Sequence, residues 1–177
     1  NLDVQDLVEK EDIFSLICML RVQQNEKRLD AAMALMRFAR DAERGNKEKG
    51  RLREEILSSG GLHSLLTLFR TRNILYKLKI VTCLAVAYVL PSFESSSHPS
   101  SSLDLKIVEC LRYLASADES VTHNDETVTR AEMFEAFARA LTTFWVNHLE
   151  PLLNARKAAT VASLKSNELT RSVFSSR

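Results

Sequence analysis

The chain has 177 residues, of which 45% are hydrophobic and 27% charged, and only four are glycines and three prolines. This length suits one domain or one array of short repeats, and the composition lacks the frequent turn residues that many-stranded β proteins need. No run of about 18 uncharged apolar residues occurs, so a membrane-spanning helix is not expected. We therefore predict a soluble, all-α protein.

The net charge of +1 is unevenly distributed along the chain. Residues 1–20 carry a net charge of −4, residues 21–79 carry +7, residues 80–150 carry −6 and residues 151–177 carry +4. Charge blocks of this kind show which surfaces suit a charged partner better than the total does.

Apolar residues recur at helical intervals throughout the first half of the chain. The last segment there is apolar nearly all round from Ile80 to Leu90, which is typical of a helix buried on most sides, and Pro91 ends it. The predicted helices of this half cover residues 11–22, 24–43, 47–59, 61–70 and 73–90.

The second half begins with the polar, serine-rich segment "SFESSSHPSSS", so residues 91–102 are predicted to form a mobile loop. Residues 103–166 are predicted to form further helices that pack on the stack or cap it. Pro151 is expected to kink or break the last of them, and residues 167–177 are expected to fray.

Two helices of this half carry apolar stripes, and the polar turn "ESVTHND" separates them. Thr129 and Glu132 are placed to form a capping box at the start of the second helix. The predicted inner stripe of the first helix is Leu105, Val108, Leu111 and Leu114. The predicted inner stripe of the second is Phe134, Phe137, Leu141, Phe144 and Trp145.

Three cysteines, Cys18, Cys83 and Cys110, lie far apart in apolar helical runs. An odd number of scattered cysteines is typical of reduced thiols packed in the core of an intracellular protein. The N-terminus has neither an initiator methionine nor a signal-peptide pattern. We expect a cytoplasmic or nuclear location and a parent protein that extends beyond this sequence.

The stretch "EEILSSGGLHSLLTLFR" places two of the four glycines between two helical segments. Gly60 and Gly61 are predicted to adopt positive φ where one helix stops and the next starts at a steep angle. Three helices also share a spaced apolar pattern, which suggests an internal repeat. The pattern occupies Ala31, Leu35, Phe38 and Ala39; Ile80, Leu84, Ala87 and Tyr88; and Ile107, Leu111, Leu114 and Ala115.

The glycine corner followed by a leucine-rich helix and a long apolar helix resembles an armadillo repeat. The resemblance implies a right-handed α-α superhelix, irregular here, with about two to three repeats over residues 1–90 and with C-terminal helices added. Its third helices would line an inner groove. HEAT-type and other helical solenoids or bundles give similar stripes and remain alternatives.

The resemblance also bears on function. Groove-lining helices of peptide-binding armadillo proteins carry Asn at positions that correspond here to Arg37, Val86 and Tyr113. A nuclear-import role is therefore not expected.

Motifs for chemistry are missing from the sequence. "SSGGL" lacks the glycine spacing and lysine of a phosphate-binding loop, and the four histidines have no partner at metal-ligand spacing. No serine lies in a nucleophile elbow, and thiols on core faces would not be activated. We predict neither an enzyme nor a metal or cofactor site.

The basic block suggests binding of another protein with an acidic segment. The residues assigned to partner binding are Arg37, Arg40, Arg44, Lys77, Lys79 and Tyr113. Exchanging Arg37 and Arg40 for Glu is expected to abolish partner recovery without lowering the melting temperature. The predicted function is a non-catalytic interaction module, a scaffold, adaptor or assembly subunit that binds through its groove and a basic ridge. The alternatives are a nucleic-acid-binding helical repeat and a regulatory domain of a larger enzyme or GTPase-regulating protein.

Overall fold

The computed structural model describes residues 3–92 and 101–175 and is mostly helical, as predicted. The helices are α1 (Val4–Glu9), α2 (Ile13–Met19), α3 (Asn25–Glu43), α4 (Lys47–Ser58), α5 (Gly61–Arg70), α6 (Tyr76–Val89), α7 (Ser101–Ala115), α8 (Arg130–Phe144) and α9 (Glu150–Ser175). A 3₁₀ turn (Leu90–Ser92) follows α6, and a π-helical turn (Trp145–Leu149) joins α8 to α9. The two strands are β1 (Val121–His123) and β2 (Glu126–Val128).

Helix α6 lies at the centre of the described structure and packs against α3, α5, α7 and α8. Every residue from Ile80 to Leu90 is buried, which confirms the prediction of a helix covered on most sides. Most of the shared pattern of the three helices also lies in the core, since Leu35, Leu84 and Leu111 are each at most 1% exposed, whereas Ala115 is exposed. Successive long helices therefore merge their apolar stripes into one core.

The two glycines between α4 and α5, Gly60 and Gly61, have different structural roles. Gly60 ends α4 and precedes α5 in the left-handed conformation, with φ of 76°. Gly61 is not at positive φ; a Cβ atom there would lie 2.6 Å from both Cγ2 and the carbonyl oxygen of Ile56. The prediction of positive φ is thus correct for Gly60 and wrong for Gly61, which provides room for α5 to approach α4.

Helix α7 is turned differently from the predicted stripe. Leu105 is 60% and Val108 38% exposed, whereas Leu111 and Leu114 are buried as expected. The buried face also contains Ile107 and Cys110, because this side of the helix meets α5, α6 and α8. Half of the predicted inner stripe therefore faces outward.

Helix α8 shows the same difference more strongly. Its buried residues are Met133, Ala136, Ala140 and Phe144. Two alanines on this face permit a close approach to α6, and Phe144 of the predicted inner stripe is buried there, as predicted. Of the predicted inner stripe, Phe134 is 63%, Leu141 37% and Trp145 47% exposed.

Pro151 neither breaks the helix nor ends it. In the π turn just before it, the N–H of Glu150 donates to the carbonyl oxygen of Trp145, five residues back. Pro151 has no N–H to donate, and a wide turn accommodates such a residue within a continuing helix.

Helix α9 continues to Ser175, so most of the segment that was expected to fray, residues 167–177, is helical. No residue of α9 is buried. Of the predicted loop over residues 91–102, residues 93–100 lie outside the described residues.

Candidate protein-interaction surface

Four charged residues form one row along α3. Asp30, Arg37 and Arg40 lie in α3 and Arg44 caps its end; they are separated by seven, three and four residues, which places them on the same side of the helix. We call the last three the arginine row. The opposite side of α3 is buried in the core, so this row is the polar face of the helix.

A β-hairpin lies across that face. Val121 pairs with Val128, and both are buried, which anchors the hairpin to the helical core. The turn residues Asn124 and Asp125 have φ of 47° and 62°. Positive φ at both central residues is the requirement of a type I′ hairpin turn.

Sequence reasoning interpreted this segment as a polar turn and missed the strands. The signal was an Asn-Asp pair between stretches containing β-branched Val and Thr.

The hairpin and the start of α8 supply carboxylates to the arginine row. Glu126 lies 2.6 Å from both Arg37 and Arg40. Glu132 lies 3.3 Å from both Arg40 and Arg44. Two carboxylates therefore lie among three guanidinium groups, and Arg40, with only 13% of its side chain exposed, bridges both.

The helix cap at the start of α8 fixes the position of Glu132. The hydroxyl of Thr129 accepts a hydrogen bond from the Glu132 N–H at 3.2 Å, which confirms the first half of the predicted capping box. The Glu132 side chain turns to the arginine row and also accepts a hydrogen bond from the Tyr88 hydroxyl at 3.3 Å. The start of α8 is thereby oriented toward α3 and α6.

The pKa values of two groups reflect this network. Burial, followed by the nearby Glu132 carboxylate, raises the pKa of Tyr88 to about 12. Burial opposes the charge of Arg40, but the carboxylates of Glu126 and Glu132 outweigh it and raise the pKa of the guanidinium. Arg40 is therefore held as a cation by its own chain.

The far end of the row is also paired. Asp30 lies 2.6 Å from the His123 Nε2 atom and accepts a hydrogen bond from the Asn124 side chain at 3.0 Å. The sequence placed Arg37, Arg40 and Arg44 on a surface for an acidic partner. The structure gives all three an acidic partner within the chain, and their role toward another protein stays a prediction.

The other three assigned residues lie around a second group of side chains. The Lys79 ammonium lies 5.1 Å from the ring centre of Tyr113 and 5.4 Å from that of Phe69, within the range of cation–π attraction. The Tyr113 ring meets Phe69 edge-on at 5.6 Å and lies 6.3 Å from the ring of Tyr76. We call Phe69, Tyr76, Lys79 and Tyr113 the aromatic-lysine cluster.

The aromatic-lysine cluster is at the surface where α5, α6 and α7 meet. Tyr76 is 40% and the preceding Leu75 50% exposed, and Lys77 is exposed beside them. The structure thus brings Lys79 into contact with Tyr113 and leaves Lys77 at the edge. Sequence reasoning missed Tyr76, although it lies three residues before Lys79 and so on the same side of α6.

The cysteines divide into two kinds. Cys83 and Cys110 are buried, as predicted, and burial raises the pKa of the Cys83 thiol well above its usual value. Cys18 is exposed, and its prediction as a core residue was wrong because α2 buries Ile13, Leu16 and Ile17 instead.

The described residues contain neither a cluster of metal-ligand side chains nor a helix suited to span a membrane. Within residues 3–92 and 101–175, no three His, Cys, Asp or Glu side chains are grouped as they would be to hold a metal ion. None of the helices in the described part of the chain has the length and apolarity needed to cross a membrane.

Comparisons with known proteins identify no relative. No family model matches the chain, and no curated protein or solved structure matches it significantly.

Proposed function

We propose that this chain is a non-catalytic protein-interaction module, an armadillo-like scaffold or assembly subunit. The helical stack supports this proposal, since α3 and α6 pack along each other as successive third helices would, and Gly60 turns the chain between α4 and α5. Stacked short helices offer a shaped exterior on which a partner can lie.

The observation that carries the proposal is the aromatic-lysine cluster. Tyrosine and exposed leucine supply apolar contact area, and lysine supplies a charge that the rings hold in place. Tyrosine is also enriched among the residues that dominate binding energy at interfaces. The partner that suits this surface is a protein segment with an acidic residue beside an apolar one.

The experiment is an affinity purification of the full chain with quantitative mass spectrometry. Wild type is compared with a Tyr76→Ala, Lys79→Glu double variant and with Lys47→Glu as the charge-matched control, since Lys47 is exposed at the start of α4. We expect a defined set of proteins to fall about tenfold or more in the double variant, and to be unchanged in the control. Equal recovery in all three samples would overturn the assignment of this surface.

Nucleic acid is a second candidate, because aromatic rings next to basic side chains are also the arrangement that stacks single-stranded bases. Arg70 and Arg72 are exposed in the same region, whereas Asp118 lies 3.5 Å from the Tyr76 hydroxyl and would repel phosphate. A salt titration of binding to a fluorescent single-stranded oligonucleotide distinguishes the two functions. Affinity that falls steeply with salt would favour nucleic acid.

A further inference from the structure

Helix α9 packs too little against the rest of the described structure to bury any of its side chains. It is 26 residues long, and none of them is buried. Among its large apolar residues, Leu164 is 59%, Leu169 67% and Phe174 74% exposed. Isolated helices gain most of their stability from packing an apolar face, so a helix of this composition is expected to have a neighbour.

The last two helices of the packed body, α7 and α8, also leave large apolar side chains exposed. The two helices pack against each other, and their outward sides carry these apolar residues at helical spacing. Phe134 and Leu141 of α8 and Trp145, the first residue of the π turn, are separated by seven and four residues and so lie along one line. We define the terminal face as Leu105, Val108, Phe134, Leu141 and Trp145.

On the helical stack of the proposed function, on which this step rests, the terminal face is the outer surface of the last two helices that pack on the body, α7 and α8. Terminal units of helical repeats normally carry a polar outer face. Here Phe134 is 63% and Leu105 60% exposed instead. Helix α9 of the same chain does not cover this face, because it continues from α8 through the π turn.

We infer that a second copy of this chain covers the terminal face with its α9, and that the two copies do so reciprocally. Together the large apolar side chains of α9 and of the terminal face expose on the order of 1,000 Å² per chain, divided between the two surfaces, which is the area scale of a stable interface. About 800 Å² per partner is the size of a stable interface. Because one chain carries both the helix and the face, a two-fold axis satisfies both at once and closes the assembly.

Sedimentation equilibrium of the full chain tests the association. The expected mass is about twice the chain mass of 20.0 kDa at micromolar concentration. A mass of one chain across that range would overturn the inference.

Two variants then test which surfaces meet. Phe134→Glu places a charge on the terminal face, and a Leu164→Glu, Leu169→Glu double variant places charges on α9; all three positions are exposed, so the folded monomer is expected to persist. Thr142→Glu, at an exposed polar position of α8, is the charge control and is expected to stay dimeric. Circular dichroism and melting curves show that each variant is folded.

Mixing the two variants distinguishes contact between α9 and the terminal face from the other symmetric arrangements. Each variant alone is expected to be monomeric, or to dissociate at least tenfold more readily than wild type. Their mixture is expected to form a heterodimer, because the intact α9 of one fits the intact face of the other. A Phe134→Glu variant that dimerises like wild type would indicate pairing of α9 with α9. An α9 variant that dimerises like wild type would indicate pairing of face with face, and either result overturns the inference.

Discussion

Arg40 of α3 and Glu126 of β2 lie 2.6 Å apart, although 86 residues separate them in the sequence. This ion pair and its neighbours hold the hairpin and the start of α8 on the polar face of α3. The positive charge of residues 21–79 and the negative charge of residues 80–150 therefore meet partly inside the molecule.

Charge reversal in the arginine row is the first prediction. The sequence predicts that Arg37→Glu with Arg40→Glu leaves the melting temperature unchanged, whereas the structure predicts that it places four carboxylates together. We expect a loss of about 2 kcal/mol or more and a fall in Tm of at least about 5 °C, measured by calorimetry. Lys47→Glu is the control, and a double variant as stable as that control would contradict the network.

The glycines give a second prediction. Gly61→Ala forces a methyl group to within 2.6 Å of Ile56 and is expected to cost about 1–3 kcal/mol. Gly60→Ala strains a residue at φ of 76° and is expected to cost about 1–2 kcal/mol.

Gly50 is the matched control for these substitutions. It lies within α4, and a Cβ atom there meets nothing within 4 Å, so Gly50→Ala is expected to stabilise the chain by about 0.5–1 kcal/mol. Urea unfolding of the three variants checks the order, and a Gly61→Ala variant as stable as Gly50→Ala would contradict the close packing of α5 on α4.

The partly buried carboxyl of Glu43 leads to a third prediction, that the stability of the fold depends on pH. Burial raises the pKa of its carboxyl, and Arg139 at 3.3 Å and Arg53 only partly oppose this. The folded chain therefore keeps the Glu43 proton to a higher pH than the unfolded chain does, so this residue lowers stability as pH rises through that window.

Glu43→Gln is accordingly expected to raise stability at pH 7 and to have little effect well below pH 4.5, where both states are protonated. Urea unfolding at several pH values measures the difference, with the exposed Glu48→Gln as control. A loss of stability at pH 7 would show that the ion pair with Arg139 outweighs burial.

Thiol labelling is a fourth prediction. Of the three cysteines, only Cys18 is exposed, whereas Cys83 and Cys110 are buried. The thiolate is the reactive form, so the raised pKa of Cys83 further slows its reaction. Intact mass after iodoacetamide should show one adduct on the folded chain and three after denaturation. Cys18→Ser should show none while folded, and a second adduct on the folded wild type would contradict the packing of α6 against α7.

Helix boundaries could be predicted well where apolar residues recur at helical spacing and a glycine or proline marks the end of the helix. The prediction for residues 61–70 coincides with α5, because Gly60 marks its start and the leucine spacing fixes its face. The burial of α6 could also be predicted, since a helix that is apolar all round has no other stable place.

The outward faces of α7 and α8 could not be predicted in the same way. Both helices have two apolar sides, and neighbouring helices decide which one is buried. On α8 the small residues Ala136 and Ala140 face the core, and the larger Phe134 is left outside. The spacing of apolar residues therefore identified Phe144 as buried but placed Phe134 on the wrong side.

The candidate surface was predicted in part. Lys79 and Tyr113 were both assigned and do touch, but the pairing of Arg40 with Glu126 joins residues far apart in sequence, which spacing along one helix cannot reveal. A basic block in a sequence is therefore not yet a free basic surface.

A double-mutant cycle between Arg40→Met and Glu126→Gln tests the central claim, that the hairpin is held on the arginine row. Urea unfolding of the four proteins is expected to give a coupling energy of about 1–3 kcal/mol. The exposed pair Arg51 and Glu55 at 3.4 Å is the control cycle and should couple by no more than about 0.5 kcal/mol. Effects of Arg40→Met and Glu126→Gln that add within about 0.3–0.5 kcal/mol would contradict the account.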